Sequence, residues 1–252
     1  MLLSLTACGA KEDPKEVFDE AVAKNAALTD LDTNMVMDMD MTMDTYTFGI
    51  SADMSMQASD MNTESMRYYS DSSMVLDLTE LLGTNQAIDT ITFYEDGYCY
   101  TEALGQKIKY AMDLDSMMAT LQQSMPSSEL QSDLMAEITL EEKDGVRVLS
   151  FTADPEKYSE QVTEMLGVLG DQMASLGVQE SAMTISELSG TYTLNDEGYY
   201  TAADMTMAFD MDMEGSPVTV SCNIQMTINN PGEPVEVVLP DTSEYQEVSL
   251  TQ

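Results

Sequence analysis

The 252-residue chain has no histidine, no tryptophan, only 9 basic residues and no apolar run of eighteen or more. Each absence removes a class of function. Without histidine, the commonest general base and the centre of nucleophilic triads are missing. No GxSxG segment, Gly-rich phosphate loop or HExxH pair is present, so the usual hydrolase, nucleotide and zinc-protease signatures are gone. The 3 cysteines show no CxxC spacing, which leaves no zinc framework. No segment is long and apolar enough to cross a bilayer as a helix. Against the few cations stand 46 acidic residues, for a net charge of −37. Such a field repels nucleic acid and anionic membrane surfaces, and draws in cations or basic partners.

What the chain has instead is methionine, 24 of them. In Thr33–Asp44 methionine takes every odd position from Met35 through Met37, Met39 and Met41 to Met43, while Asp38, Asp40, Thr42 and Asp44 take even ones. Strict alternation marks a strand with one dry and one wet face. Same-face neighbours on a strand are roughly 6.6–6.8 Å apart, so the thioethers form a continuous row. The pattern returns as Met205, Met207, Phe209, Met211 and Met213, alternating with Asp204, Thr206, Asp210 and Asp212. Methionine is flexible and fills irregular space, which gives a deformable interior suited to apolar ligands of variable shape. Thioethers at this spacing are also soft ligands for Cu(I). The aspartates lie on the wet face, and a calcium loop through Asp38, Asp40 and Asp44 is excluded because Met43 stands where the loop requires glycine. No carboxylate pair is singled out for catalysis, and the chain reads as a non-enzyme with no resident cofactor.

The start of the chain gives an address. Leu5-Thr6-Ala7-Cys8-Gly9 closes a short apolar run in the manner of the bacterial lipobox, whose cysteine becomes the lipidated first residue of the mature protein. Residues 1–7 then read as a signal-peptide remnant, and residues 8–13 as a lipidated tether spanning at most roughly 17 Å beyond Cys8. Residues 14–252 form a single domain, since no Pro/Gly/Ser-rich linker divides them. Cys99 and Cys222 both fall in strand-like runs; a disulfide is open to them in an oxidising compartment, and so is a role as small buried side chains.

In chain order, Asp13-Pro14 with Glu16 opens an amphipathic helix running to about Leu28, with Val17, Phe18, Ala21, Val22 and Asn25 on one face. Strands are expected at Thr33–Asp44, Phe48–Ala58, Ser65–Asp77, Ile91–Glu95, Tyr98–Glu102 and Lys107–Met112, with Asp96-Gly97 as a hairpin turn. A helix follows over Ser116–Ser124, capped by Asp115, and a second short one from Ser127 to Met135. Ile138–Glu142 and Val146–Ala153 make a hairpin about Asp144-Gly145. Asp154-Pro155 starts a longer helix whose apolar face carries Tyr158, Val162, Met165, Leu166, Leu169, Met173 and Leu176, with Gly167 and Gly170 as points where it can yield. Met183–Leu194, Tyr199–Met213 and Val218–Ile228 form a second meander, with Val235–Val238 as an edge strand before a polar tail.

The lipobox cysteine, the helix KEDPKEVFDEAVAKNAAL and the Met/Asp-alternating strands together resemble the acidic, Met-rich lipoproteins of clostridial-type Firmicutes, and through them the lipid-handling folds of the carrier LolA and the mycobacterial LppX group. The resemblance implies an α+β domain: a curved, incompletely closed antiparallel sheet, a half-barrel of about ten to twelve strands, with helices on its concave face. It also implies a monomer held by lipid on Cys8 at the extracytoplasmic face of the cell membrane. Its function would be to bind or carry a lipid or other hydrophobic molecule. The candidate ligand face is Met35, Met37, Met39, Met41, Met43, Met205, Met207, Phe209, Met211 and Met213, with Met165, Leu169 and Met173 from the helix above. The alternative is a surface interaction lipoprotein with a filled core, whose acidic exterior meets cations or basic partners.

Overall fold

A computed structural model describes residues 12–43, 46–79, 83–124, 130–143, 145–158, 184–213 and 216–249. Helix α1 spans Pro14–Ala26 and is capped as the sequence requires: Asp13 accepts from the Lys15 backbone N–H at 3.0 Å, and Pro14 occupies the first position, where no N–H is needed. It buries Phe18 and Ala21 and half-buries Val17 and Val22 against the sheet. Strands β1 (Leu31–Met43), β2 (Tyr46–Ser59), β3 (Arg67–Leu78), β4 (Thr84–Glu95), β5 (Tyr98–Ala103) and β6 (Gln106–Ala111) form an antiparallel meander. At its fourth turn Asp96 and Gly97 both take positive φ, 52° and 77°, the backbone that the tight hairpin demands.

Helix α2 covers Leu114–Ser124 and buries Met117 and Leu121. Its cap is Asp113 rather than Asp115: the Asp113 carboxylate accepts from the Ser116 backbone N–H at 2.8 Å, and Asp115 lies inside the first turn. Of the helix expected from Ser127 to Met135, residues 127–129 lie outside the described residues; the rest forms a 3-10 turn at Ser132–Leu134, and Met135 opens the next strand. Asp19 of α1 explains the turn, since it accepts from both the Ser132 backbone N–H at 3.1 Å and the Ser132 hydroxyl at 2.7 Å. Strands β7 (Met135–Lys143), β8 (Val146–Ala153), β9 (Thr184–Leu194), β10 (Tyr200–Met213) and β11 (Ser216–Ile228) form the second meander. One helical turn over 155–158 is described, with Asp154 accepting from the Glu156 backbone N–H at 3.1 Å. Met165, Gly167, Leu169, Gly170 and Met173 lie outside the described residues, as does Cys8.

With the two-residue strand β12 (Gln246–Glu247) at one edge, the order β12-β6-β5-β4-β3-β2-β1-β11-β10-β9-β8-β7 is one curved sheet whose ends, β12 and β7, do not meet. The antiparallel half-barrel foreseen from sequence is correct with one exception: β12 (Gln246–Glu247) lies parallel to β6. Val235–Val238 is not a strand. The Val235 backbone N–H is taken by Asp30 at 3.2 Å, which ties the segment to the entry of β1. β4 begins at Thr84, seven residues before the expected start, because TNQAIDT carries no apolar alternation that would betray it. The first and last meanders are joined at the centre by β1 and β11, paired from Thr33 with Ile228 to Met43 with Val218. Asp32 fixes this register, accepting from Asn229 Nδ2 at 2.9 Å on one side and Gln57 Nε2 at 3.1 Å on the other.

Candidate functional site

The register assigns a single face to every methionine of the two rows. Met35, Met37, Met39, Met41 and Met43 stand opposite Met226, Ile224, Cys222, Val220 and Val218, which stand in turn opposite Ala203, Met205, Met207, Phe209 and Met211. On β2 the same lines continue as Met54, Ala52, Ile50, Phe48 and Tyr46. Both predicted rows therefore line one surface, flanking β11 at the middle of the sheet. It is the surface on which α1 and α2 bury their apolar residues.

That face has two unlike ends. At one, Phe18 of α1 drops onto Phe151 (5.7 Å between centroids, edge-on) and Tyr192 (6.0 Å), and Tyr192 stacks on Tyr200 at 4.3 Å. Gly190 makes room for this cluster. A Cβ there would lie 2.8 Å from the Phe151 ring and 2.6 Å from the Asp204 carbonyl oxygen, so glycine inside the strand marks a close approach. Leu31, Thr33, Ala58, Tyr68, Tyr94, Leu194 and Ile228 are also buried here. Burial pushes the Tyr192 and Tyr200 hydroxyls far above the usual tyrosine range. It raises Tyr110 to about 12, with help from its hydrogen bond to Cys99.

At the other end burial falls away. Met205 is 5% exposed, yet Met207, Phe209 and Met211 are only half-buried, as are Met35, Met37, Met39, Met41 and Met43. Phe48, Ile50, Leu76 and Ile88 share this condition on β2, β3 and β4. The expectation that odd positions are dry is thus correct in direction, with Asp38, Asp40, Asp204 and Asp210 exposed, and incomplete in degree. The side chain of Met213 lies outside the described ones. Within the half-buried field Val218 and Val220 of β11 are fully covered, at 2% and 0%. The result is an apolar floor of flexible side chains. Sequence reasoning missed Leu76, Ile88 and the sulfur of Cys222, the last because pairing across strands is not visible in a single run.

Two clefts that described residues line are rimmed by charged side chains, the larger of the two including Pro14 and Leu140 as well. One of about 650 Å³ is bordered by Asp60, Glu64, Arg67, Glu95, Asp96 and Glu236, and one of about 960 Å³ by Glu12, Glu142, Arg147 and Asp196. The carboxylates held below their usual range are exposed and locally explained: hydrogen bonds from Thr79 act on Asp77, from Ser116 on Asp113 and from Ser243 on Asp241. Cys99 and Cys222 are both free and buried. They stand five strands apart in the sheet order, an arc of roughly 24 Å, which settles the disulfide question against pairing. Burial raises both thiols above their ordinary value.

Among solved structures the chain is similar to LprF from Mycobacterium bovis, with 12% identity and a TM-score of 0.43 over 91% of this chain and 96% of that one. It is similar also to the lipoprotein LppX from Mycobacterium tuberculosis, with 13% identity and a TM-score of 0.41 over 89% and 98%. No curated protein matches it. Residues 13–246 match a family of unknown function, DUF6612, and the chain belongs to that family.

Proposed function

We propose that the protein is a non-catalytic, extracytoplasmic lipoprotein, anchored through lipid on Cys8, that binds a lipid or other hydrophobic molecule on its methionine-lined concave face. The observation that carries this reading is the contrast between the two ends of that face. The aromatic end is packed dry under α1, whereas Met39, Met41, Met43, Phe209 and Met211 remain half-buried on a continuous apolar floor. Apolar side chains left partly in water on a concave surface give an acyl chain or similar ligand roughly 25 cal/mol for each Å² that it covers, and thioethers adapt to its shape. The aspartate face on the other side of the same strands keeps the protein soluble beside the membrane.

The test has two arms. Titration with a fluorescent fatty-acid analogue should show saturable binding that Met41→Asp and Phe209→Asp each weaken at least tenfold. An absence of binding would favour the alternative, a surface lipoprotein whose acidic exterior meets cations or basic partners. Separately, Cys8→Ser should move the protein from the membrane fraction to the soluble one, because stable anchoring needs more than one acyl chain and the variant would carry none.

A further inference from the structure

Across the middle of β1, β11 and β10, one line of directly opposed residues reads Met39, Cys222, Met207. All three side chains share the concave face. Opposed residues on antiparallel strands have Cβ atoms about 4.5–5.5 Å apart, a gap that a thioether on three rotatable bonds can close. One step along the strands stand Met37 and Met41 on β1 and Met205 on β10, diagonal neighbours within roughly 7–8 Å. Cys222 is 3% exposed, while Met39 and Met207 are half-buried, so the thiol lies on the floor with a thioether on each side. The carboxylates of these strands, Asp38, Asp40, Asp204 and Asp210, take the opposite face, and the chain has no imidazole at all. The donor set is sulfur alone.

Sulfur-only sets select soft ions and discriminate against the hard cations that the acidic exterior also attracts. We propose that Met39, Cys222 and Met207 form a three-coordinate site for a soft monovalent metal ion of the Cu(I) class. On binding, the Sγ–H bond of Cys222 breaks, an Sγ–metal bond forms, the proton passes to solvent, and the two thioethers complete the shell with no change in oxidation state. Cys99 supplies the internal comparison: it is also 3% exposed, but its row neighbours are Tyr94 and Tyr110, which offer no soft donor.

Titration of the purified, reduced protein with Cu(I) against a chromogenic Cu(I) chelator, and with Ag(I) as a redox-inert stand-in, should give one tight site per chain. Cys222→Ser should weaken it at least a hundredfold, and Cys99→Ser should leave it unchanged. The double variant Met39→Leu/Met207→Leu keeps volume and apolarity, so it should fold with a near-normal melting temperature while losing metal affinity at least tenfold. It decides the matter even where Cys222→Ser fails to fold. No binding by the unaltered protein, full affinity in the double variant, or equal loss in Cys99→Ser would overturn the site. This proposal is independent of the lipid reading: probe binding without metal binding ends the metal site alone, and metal binding without probe binding ends the lipid reading alone.

Discussion

Asn25, in the last turn of α1, holds Tyr200 at the start of β10. Its side-chain oxygen accepts the Tyr200 backbone N–H at 3.0 Å, while its Nδ2 donates to the Ala21 carbonyl at 2.7 Å. One side chain thus ties the helix end to the strand whose tyrosine ring is 1% exposed beneath it. Lys24 reinforces the junction, donating to the Glu197 carbonyl and lying 4.2 Å over the Tyr199 ring.

Removing that link orphans a part-buried backbone donor as well as freeing the helix end. Asn25→Ala should therefore destabilise by about 1–3 kcal/mol, the cost of an unsatisfied polar group. Urea unfolding measures it, and the slope with denaturant should be unchanged because the same surface is exposed. An effect below the error of the extrapolation would show that α1 is held by Phe18 and Ala21 alone.

The burial gradient along the methionine rows predicts a gradient of energies. Met205→Ala, at a buried position, should lose about 2–5 kcal/mol through transfer and cavity terms. Met41→Ala, at a half-buried one, should lose about 1 kcal/mol, since less area leaves contact and the site can collapse. Asp40→Asn on the wet face should be nearly silent. Equal losses at Met205 and Met41 would mean that the two ends of the face are packed alike.

Charge sets a further expectation. At net −37 the folded chain repels itself, and screening shortens that repulsion to roughly 10 Å at 0.1 M salt. Melting temperature should rise on going from low to physiological ionic strength. It should also rise at first as pH falls and carboxylates begin to protonate. The trend then reverses: Asp77, Asp113 and Asp241 have folded pKa values below 3.8, so their stabilising contribution is present above 3.8 and is lost as pH drops through the lower folded values. Asp113→Asn should flatten that acid limb. A monotonic fall in melting temperature from neutral pH would contradict the repulsion argument.

The parts of this fold that could be read in the sequence are those where the code is local. The alternation of Met35 to Met43, the Asp13-Pro14 cap and the Asp96-Gly97 turn each depend on residues a few positions apart, and each appears as read. What stayed hidden depends on partners far along the chain. Asp19 converts the region before Met135 from helix to a 3-10 turn from more than a hundred positions away. The line Met39–Cys222–Met207 exists only once β1, β11 and β10 are set side by side. Gly190 drew no reading from the sequence, because the Phe151 ring and Asp204 carbonyl that crowd it come from the two neighbouring strands. On the candidate site, the face was legible and its openness was not, because burial depends on what lies across the sheet.

The tail gives the last prediction. Read from sequence only as polar, it places Tyr245 edge-on against Phe93 at 5.3 Å and Tyr100 at 5.4 Å, which stack on each other at 4.5 Å. This second cluster lies on the opposite side of the sheet from the methionine rows, since Phe93 neighbours Tyr94 of the concave face and adjacent strand residues point to opposite faces. Lys107 binds Glu244 at 2.9 Å and sits 5.7 Å from the Tyr245 ring, and β12 adds two residues of pairing to β6. Exposed ion pairs contribute little, about 0–1 kcal/mol, so the ring should dominate. Tyr245→Ala should destabilise by about 3 kcal/mol, and Glu244→Gln by a few tenths. Because this cluster and the concave face are separated by the thickness of the sheet, Tyr245→Ala should leave fatty-acid probe affinity unchanged at temperatures well below its melt. A parallel loss of probe binding would show that the sheet does not insulate its two faces.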